Sequence, residues 1–378
     1  MAIIPNKPRA ILIDVIPSNM DDKVAKRRLM ELEQLTKTYG GIIIVKLIQK
    51  KGTPDYRTYI GGGKLDEIIE LAQEEKAEVL IINNLLKPGQ MFNVNEALRK
   101  AKLNMQAWDR VDLILKIFDR HAKTAEAKLQ IKLAAIRHMG PRIFGMGMEL
   151  MQQAGGTGTR GGQGETNTEL MKRHLFEQEQ RIKRDLDRVN TAREGHRKRR
   201  DRVGLKTVSV VGYTNAGKSS LLNALTKKGA YVANALFATL DTHVGKIWIP
   251  TEDGRGKEIL ISDTIGFIQD LPPELIDAFR STLDETVDAD LLLHVIDVSD
   301  GHVHEKIIEV EDVLKKIEAD KIPKIYVFNK MDLVKRKPAK INRKEYAEFE
   351  PVFVSAHTGA GLSELKTLIG ERLTKDAS

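Results

Sequence analysis

Residues 212–219 of this 378-residue sequence, GYTNAGKS, match GxxxxGKS, a pattern that binds phosphates. They follow the apolar, β-branched run 207–211 and precede 220–225, whose composition is typical of a helix. In this order of strand, loop and helix, glycines let the backbone approach an anion closely. The loop N–H groups and the helix N-terminus then face that anion. We predict that Lys218 lies between the β- and γ-phosphates and that the Ser219 hydroxyl binds Mg²⁺. The residues predicted to contact the nucleotide in this phosphate loop and just after it are Gly212, Tyr213, Thr214, Asn215, Ala216, Gly217, Lys218, Ser219 and Ser220.

Two later segments carry candidates for contacts with the metal and the γ-phosphate. Residues 236–242 combine polar and apolar side chains, as expected of a mobile switch segment. The hydroxyl of Thr239, or of Thr242, would reach Mg²⁺ from it. A predicted strand over 258–262 leads to Asp263, which is placed to bind Mg²⁺ through its water shell. Gly266 completes the pattern DxxG and can bring its N–H to the γ-phosphate. The predicted Mg²⁺ ligands are Ser219, Thr239 and Asp263, and the predicted catalytic residues are Lys218, Thr239 and Gly266.

The base is predicted to be read by the pattern NKxD and by a second loop near the C-terminus. The Asp332 carboxylate can accept hydrogen bonds from N1–H and the exocyclic amino group of guanine, a pair that adenine does not offer. Leaving that carboxylate unpaired against the wrong base would give strong discrimination. The backbone N–H of Ala356 is placed to donate to guanine O6. The residues predicted to recognise the base are Asn329, Lys330, Asp332, Ser355 and Ala356.

The order of these motifs on successive strand ends predicts GTP and GDP as ligands, and hydrolysis of GTP to GDP and phosphate. Phe267 follows DxxG where a Ras-type enzyme has a water-orienting Gln, and a Phe cannot orient water. We therefore expect slow hydrolysis by the protein alone and stimulation by an outside element. Asn215 matches the loop Asn of potassium-dependent GTPases, which raises the hypothesis that K⁺ binds there.

The elements that must position these residues predict an α/β fold. For residues 204–378 we expect a GTPase domain with a mostly parallel sheet and helices on both faces. For residues 1–107 we expect a small α/β domain, because β-branched runs near residues 10–15, 41–47 and 77–83 alternate with helical patterns. The glycine-rich turn 61–64 favours a plain helix entry, with an anion site or second nucleotide site as the alternative.

Between these domains, residues 108–203 are expected to form a helical or coiled-coil subdomain. Residues 108–118 and 122–138 read as helices, and Gly140 with Pro141 should end the second one. The glycine-rich loop 155–164, with Arg160, is either a flexible linker or an RNA contact. Residues 165–203 should form one long helix or a helical hairpin. The basic cluster at its end, centred on 197–200, suits either the helix dipole or a polyanion.

Composition limits the class of protein. The formal net charge is +8, which is compatible with a polyanionic partner but equally with a merely basic surface. The sequence has no cysteine, which excludes disulfides and cysteine-based metal sites. No apolar run approaches the ~20 residues of a transmembrane helix, and no signal peptide is recognisable. We expect a cytoplasmic protein that is a monomer.

Along almost the whole chain the sequence resembles the HflX family of translation-associated GTPases. The segments that carry the resemblance are 59–68, 108–110, 155–166, 212–223 and 236–241. Residues 162–163 depart from the family's glycine-rich pattern, which has a proline-like site there. Some relatives carry a further C-terminal domain, which we do not expect here.

That resemblance implies a partner as well as an activity. Members bind the large (50S) ribosomal subunit or the whole 70S ribosome and help to split stalled or inactive ribosomes. The N-terminal domain and its helical extension would make the rRNA contacts, which adds weight to the RNA interpretation of Arg160 and of residues 197–200. The alternative is a GTP-dependent signalling or scaffold protein whose N-terminal domain binds a protein. Salt-sensitive binding and co-sedimentation with large subunits would distinguish the two.

Overall fold

The computed structural model describes residues 7–154, 163–226, 243–249, 256–264, 266–268, 275–276, 283, 286–334 and 345–375. The chain divides into two compact units. One comprises Met1–Arg120 with Leu129–Asp185, and the other comprises His121–Lys128 with Leu186–Ser378. The expected three-part division of the chain stays a prediction. None of the helices in the described ranges is long and apolar enough to cross a membrane.

The first unit contains a four-stranded parallel sheet in the order β2-β1-β3-β4. Its strands are almost continuous runs of β-branched and aliphatic residues, and Ile11, Ile13 and Ile82 are fully buried, as expected of a parallel sheet. The strands are β1 (Arg9–Ile16), β2 (Ile42–Lys50), β3 (Val79–Ile82) and β4 (Gln106–Asp109). The helices that follow them are α1 (Asp22–Tyr39), α2 (Gly62–Glu74), α3 (Pro88–Lys100) and α4 (Arg110–His121).

Two expectations about this part of the chain are wrong. Trp108 and Asp109 were expected in a helix but form the end of β4, and α4 begins only at Arg110. Pro141 does not end the following helix, since α5 spans Ala125–Ala154 without interruption. A proline inside a helix removes one backbone hydrogen bond, while its fixed φ of about −65° is itself helical, so a long helix can tolerate that loss.

The basic segment before the phosphate loop forms a single helix, α6 (Gln163–Val203), and not a hairpin. Ile182 and Leu186 of this helix are buried. Arg137 of α5 and Glu179 of α6 form an ion pair with an N–O distance of 3.2 Å. Near the end of α6 the side chains of Lys198, Arg199 and Arg202 are exposed. Of the glycine-rich loop, residues 155–162, including Arg160, lie outside the described residues.

The second unit contains a six-stranded sheet in the order β10-β9-β8-β5-β7-β6. All neighbouring strands are parallel except β6 and β7, which are antiparallel. The strands are β5 (Thr207–Gly212), β6 (His243–Ile249), β7 (Lys257–Asp263), β8 (Leu291–Asp297), β9 (Lys324–Asn329) and β10 (Val352–Phe353), and the helices are α7 (Lys218–Thr226), α8 (Val303–Lys316) and α9 (Leu362–Lys375). Apolar clusters cover both faces of this sheet, which confirms the predicted fold class.

Candidate nucleotide site

The phosphate loop connects β5 to α7, as the sequence predicts. Gly212 has φ of 147°, and a Cβ there would lie 2.3 Å from the Val295 carbonyl oxygen. Gly217 has φ of 95°, and a Cβ there would lie 2.3 Å from Nδ2 of Asn329. Both positions therefore require glycine, for backbone conformation and for close packing.

Lys218 is buried at the start of α7, with its Nζ donating to the carbonyl oxygens of Gly212 (3.0 Å) and Tyr213 (2.9 Å). Burial lowers its pKa from the ordinary 10.5 to about 8; the charge of Asp263 opposes this shift, and Lys330 adds to it. The ammonium carries three donors, so two carbonyls leave one for a phosphate oxygen. An anion beside Lys218 would favour the charged form.

The predicted metal ligands Ser219 and Asp263 lie together. The Ser219 hydroxyl donates to Oδ2 of Asp263 at 2.5 Å, and Asp263 is fully buried at the end of β7. Hydroxyl and carboxylate oxygens are the hard ligands that Mg²⁺ prefers, so this pair fits the metal. The remaining predicted ligand, Thr239, and its alternative, Thr242, lie outside the described residues.

The backbone after Asp263 passes directly over the phosphate loop. A Cβ at Gly266 would lie 2.9 Å from Nζ of Lys218 and 2.7 Å from Cγ2 of Thr214. Thr214 is buried, and its hydroxyl has no hydrogen-bond partner among the described residues. Gly266 thus lies against Lys218. The contact of its N–H with a γ-phosphate stays a prediction.

Phe267 is turned into the core. It is 1% exposed and packs in one apolar cluster with Tyr213. Its N–H donates to the Gly212 carbonyl at 3.2 Å, and its carbonyl accepts from the Thr214 N–H at 2.7 Å. The residue after DxxG is therefore hydrogen-bonded to the phosphate loop through its backbone, and its buried side chain offers no polar group to orient a water molecule.

The residues predicted to read the base are also assembled. Asn329 Nδ2 donates to the Ala216 carbonyl and its Oδ1 accepts from the Ala356 N–H, both at 3.0 Å. The Ser355 hydroxyl donates to Oδ1 of Asp332 at 2.6 Å. The Ala356 N–H predicted for guanine O6 is thus engaged by Asn329, and would have to share or change partners to reach the base.

Two features of the site were not predicted from the sequence: the contact of Lys330 with Asp297 and the left-handed backbone of Asn215. Lys330 donates from Nζ to the Asn215 carbonyl and to Oδ2 of Asp297, each at 2.7 Å. Asp297 ends β8, and its position at the carboxyl end of a parallel strand was a signal that could have revealed it. Asn215 is exposed and has φ of 62°, a left-handed conformation that Asn tolerates well. That conformation alone would account for an Asn there.

Outside this site, the glycine-rich turn before α2 has the contacts of a structural helix entry. The N–H of Gly61 donates to Oε1 of Gln49 at 3.0 Å, and Nζ of Lys64 pairs with Glu67 at 2.6 Å. Gly61 adopts an extended conformation as the N-cap of α2. The Gly61 N–H and the Lys64 ammonium are therefore engaged within the protein, as in a structural helix entry.

A cluster that the sequence did not reveal is formed by Asp109, Asp112 and His138. Asp109 and Asp112 each accept the other's backbone N–H at the start of α4, as in a capping box. Nε2 of His138 lies 3.2 Å and 3.5 Å from their carboxylates. Helix capping and histidine pairing account for this geometry without an ion.

Three family models match successive parts of the chain. They are described as GTP-binding GTPase N-terminal (residues 26–119), GTP-binding GTPase Middle Region (residues 121–200) and 50S ribosome-binding GTPase (residues 207–330). A GTPase HflX of Caldanaerobacter subterraneus is 40% identical over 371 residues, covering 98% of this chain and 82% of that protein. The chain belongs to the HflX family of GTPases.

Other comparisons agree with this assignment. GTPase HflX of Escherichia coli is 39% identical over 350 residues, covering 93% of this chain and 80% of that protein. A crystal structure of the protein SsGBP with GDP matches with a TM-score of 0.52 and 24% identity, covering 98% of this chain and all of that one. At that identity the structure supports the fold alone. Membership of this family, together with the phosphate-loop GTPase fold, makes the chain an enzyme that hydrolyses GTP.

Proposed function

We propose that this HflX-family GTPase binds the large (50S) ribosomal subunit and the 70S ribosome and promotes splitting or rescue of stalled or inactive ribosomes. The observation that carries the proposal is the match of residues 207–330 to the family described as 50S ribosome-binding GTPase. Exposed cations near the end of α6, Lys198, Arg199 and Arg202, support a polyanion contact by the helical region. The protein would act as a monomer in the cytoplasm.

The arrangement of the site supports specific roles for its residues. Ser219 and Asp263 would hold Mg²⁺, which when bound supplies positive charge against the phosphate oxygens. Lys218 would neutralise charge that develops on the phosphates, from a buried position where electrostatic effects are strong. The Gly266 N–H would donate to the γ-phosphate, since its backbone lies against Lys218. Asp332 would select guanine with the help of Asn329, Lys330, Ser355 and Ala356.

Slow hydrolysis without the ribosome follows from the position of Phe267. Because that side chain is buried with Tyr213, no group directly after DxxG is available to orient the attacking water. The ribosome would complete the site. Turnover of GTP should therefore rise by an order of magnitude or more when purified large subunits are added. Equal turnover with and without subunits would contradict the proposal.

Asn215 supports a second, separable proposal, that K⁺ binds at the phosphate loop. The test compares GTP turnover in KCl and NaCl for the parent and for Asn215→Gly. Glycine keeps the left-handed conformation of residue 215 while it removes the amide. Faster turnover in KCl that is lost in Asn215→Gly supports a cation ligand. Equal turnover in both salts rejects it, and leaves backbone conformation as the reason for Asn215.

Ribosome binding itself is tested by pelleting the full chain with large subunits in GDP or in a non-hydrolysable GTP analogue. The proposal expects co-sedimentation chiefly with the analogue. Asp332→Asn provides the control, because an amide can donate to the extra carbonyl of xanthine and should move binding to the xanthosine analogue. Absence of co-sedimentation with any nucleotide would favour a scaffold whose N-terminal part binds a protein.

A further inference from the structure

The loop between β2 and α2, residues 51–60, is held in one conformation by its own hydrogen bonds. The backbones of Asp55 and Tyr59 exchange two of them, at 3.0 and 2.9 Å. Oδ1 of Asp55 accepts from the N–H groups of Arg57 (2.9 Å) and Thr58 (3.1 Å). These donors lower the pKa of the Asp55 carboxyl, which keeps it ionised and bonded. The tip of the loop is therefore a closed turn.

Side chains of helix α3 hold the backbone of this turn through hydrogen bonds. Gln90, which is buried, donates from Nε2 to the carbonyls of Asp55 (3.1 Å) and Tyr56 (3.3 Å). Asn93 donates from Nδ2 to the carbonyl of Arg57 at 2.9 Å. Three successive carbonyls are thus satisfied by one helix. Since the backbone of the turn is engaged within the unit, its side chains are what it offers to a partner.

The side chain at the tip of the turn is an aromatic ring that is exposed to solvent. Tyr56 is 90% exposed, the highest value for a large apolar or aromatic residue in the described part of the chain. Arg57 and Lys87 are also exposed, and neither forms an ion pair with another described residue. The Lys87 N–H donates to Oε1 of Gln90, so one glutamine side chain joins the backbones of Lys87 and Tyr56.

This combination fits single-stranded RNA better than a protein surface. An exposed aromatic ring on an ordered turn can stack on any unpaired base, and unpaired guanidinium and ammonium groups suit the adjoining phosphates. Protein interfaces are also enriched in Tyr and Arg, but they are depleted in Lys. Of the four cations in residues 50–64, Lys50, Lys51 and Lys64 pair with Asp22, Asp55 and Glu67. Arg57, together with Lys87, is therefore the cation that this turn offers to a phosphate.

We propose that Tyr56 stacks on an unpaired rRNA base while Arg57 and Lys87 contact neighbouring phosphates. The proposal rests on the ribosome-binding function above and names one contact within it. It also assigns a role to the ordered turn, because a backbone that is already ordered loses little conformational entropy on binding.

The test measures binding of the full chain to large subunits with a non-hydrolysable GTP analogue. Tyr56→Leu should weaken binding about tenfold, the order expected for one lost base–aromatic stack, whereas Tyr56→Phe should bind within about twofold of the parent. Trp248→Leu is the matched control, since Trp248 is 62% exposed in the second unit and should bind as the parent does. GTP turnover without ribosomes should be the same for all four proteins.

Two further readouts identify the partner. Arg57→Gln should reduce the slope of log binding constant against log salt by about one, as expected for one lost phosphate contact. Ultraviolet cross-linking followed by peptide mass analysis should place a nucleotide adduct on Tyr56. An unchanged slope, or a Tyr56 cross-link to a ribosomal protein, would overturn the RNA proposal.

Failure of the proposed ribosome binding would give a different result from failure of the Tyr56 contact. If the parent does not bind subunits at all, ribosome binding is rejected. If the parent binds and Tyr56→Leu binds equally well, ribosome binding stands and the stacking role of Tyr56 is rejected.

Discussion

Nucleotide binding should take up a proton at mildly alkaline pH, because of Lys218. In the free protein, burial lowers the pKa of this lysine to about 8, although the nearby Asp263 favours its charged form. Phosphates beside Nζ would stabilise the ammonium and raise the pKa again. The charged form of Lys218, which the nucleotide needs, is thus already present in the free protein well below pH 8. It is progressively lost from the free protein as the pH rises above 8.

The size of the effect follows from that pKa. With a pKa of about 8, roughly a quarter of Lys218 is neutral at pH 7.5 and about three quarters at pH 8.5. Protonation of the neutral fraction accompanies binding, so GDP should bind about eightfold more weakly at pH 9 than at pH 7.5, or about 1.2 kcal/mol. The terminal phosphate has a pKa of about 6 and keeps its charge throughout.

Isothermal titration calorimetry measures this uptake. Titrations of GDP at pH 8.5, in buffers of different ionisation enthalpy, should give an uptake of about 0.7 proton, and titrations at pH 7 about 0.1. Guanosine is the control, since it carries the same base but no phosphate to act on Lys218. A buffer-independent enthalpy for GDP at pH 8.5, or equal uptake with guanosine, would show that the lysine is not the linked group.

Three substitutions test contacts within the second unit. Gly212→Ala should destabilise the chain by about 2 kcal/mol or more in urea unfolding, because its Cβ would meet the Val295 carbonyl, whereas Gly62→Ala, with open space around it, should be neutral or slightly stabilising. Gly266→Ala should lower GTP turnover while GDP affinity changes little, since its Cβ would lie 2.9 Å from Nζ of Lys218; equal loss of both would contradict a γ-phosphate role. Glu311→Gln should destabilise the chain at pH 7. Its burial alone would raise the pKa of that carboxyl, but His294, whose Nδ1 lies 3.4 Å away, and a hydrogen bond from Lys324 lower it from 4.5 to about 2. The stabilisation is therefore present above 4.5 and is lost as pH falls toward 2. Urea titrations at pH 7 and about pH 3 should therefore show a smaller difference between Glu311→Gln and the parent at the lower pH.

The sequence pattern predicted those strands and helices that can be recognised from their own residues. The β-branched runs of β1 and β5 are long and strongly apolar, so their strands were found within a residue or two. The strand β4 has only four residues, Gln106–Asp109, and follows directly into α4. Its pairing with β3 is long-range, which a short pattern cannot reveal. Pro141 was misjudged because tertiary context, absent from the sequence, decides whether a helix tolerates proline.

Contiguous motifs predicted which residues gather at the candidate site, but not how they are joined. Lys218, Ser219 and Gly266 were identified because each motif sits between a strand and the next element. The position of Asp297 beside Lys330 depends on the register of β8 with β9, where Asp297 pairs with Asn329. The inward orientation of Phe267 likewise depends on packing against Tyr213. Such contacts join residues far apart in the chain, and no spacing rule encodes them.

The hydrogen bonds of the NKxD segment make the base and phosphate halves of the site one unit. Asn329 and Lys330 bind two consecutive carbonyls of the phosphate loop, those of Ala216 and Asn215. Asn329 also accepts from Ala356, so a single buried amide links the phosphate loop to the loop expected over the base. Removing that amide would leave buried polar groups in both loops without partners, which costs about 1–3 kcal/mol for each group. A substitution of Asn329 is therefore expected to disturb Lys218 and the phosphates as much as the choice of base, although the sequence motif alone assigns Asn329 to the base.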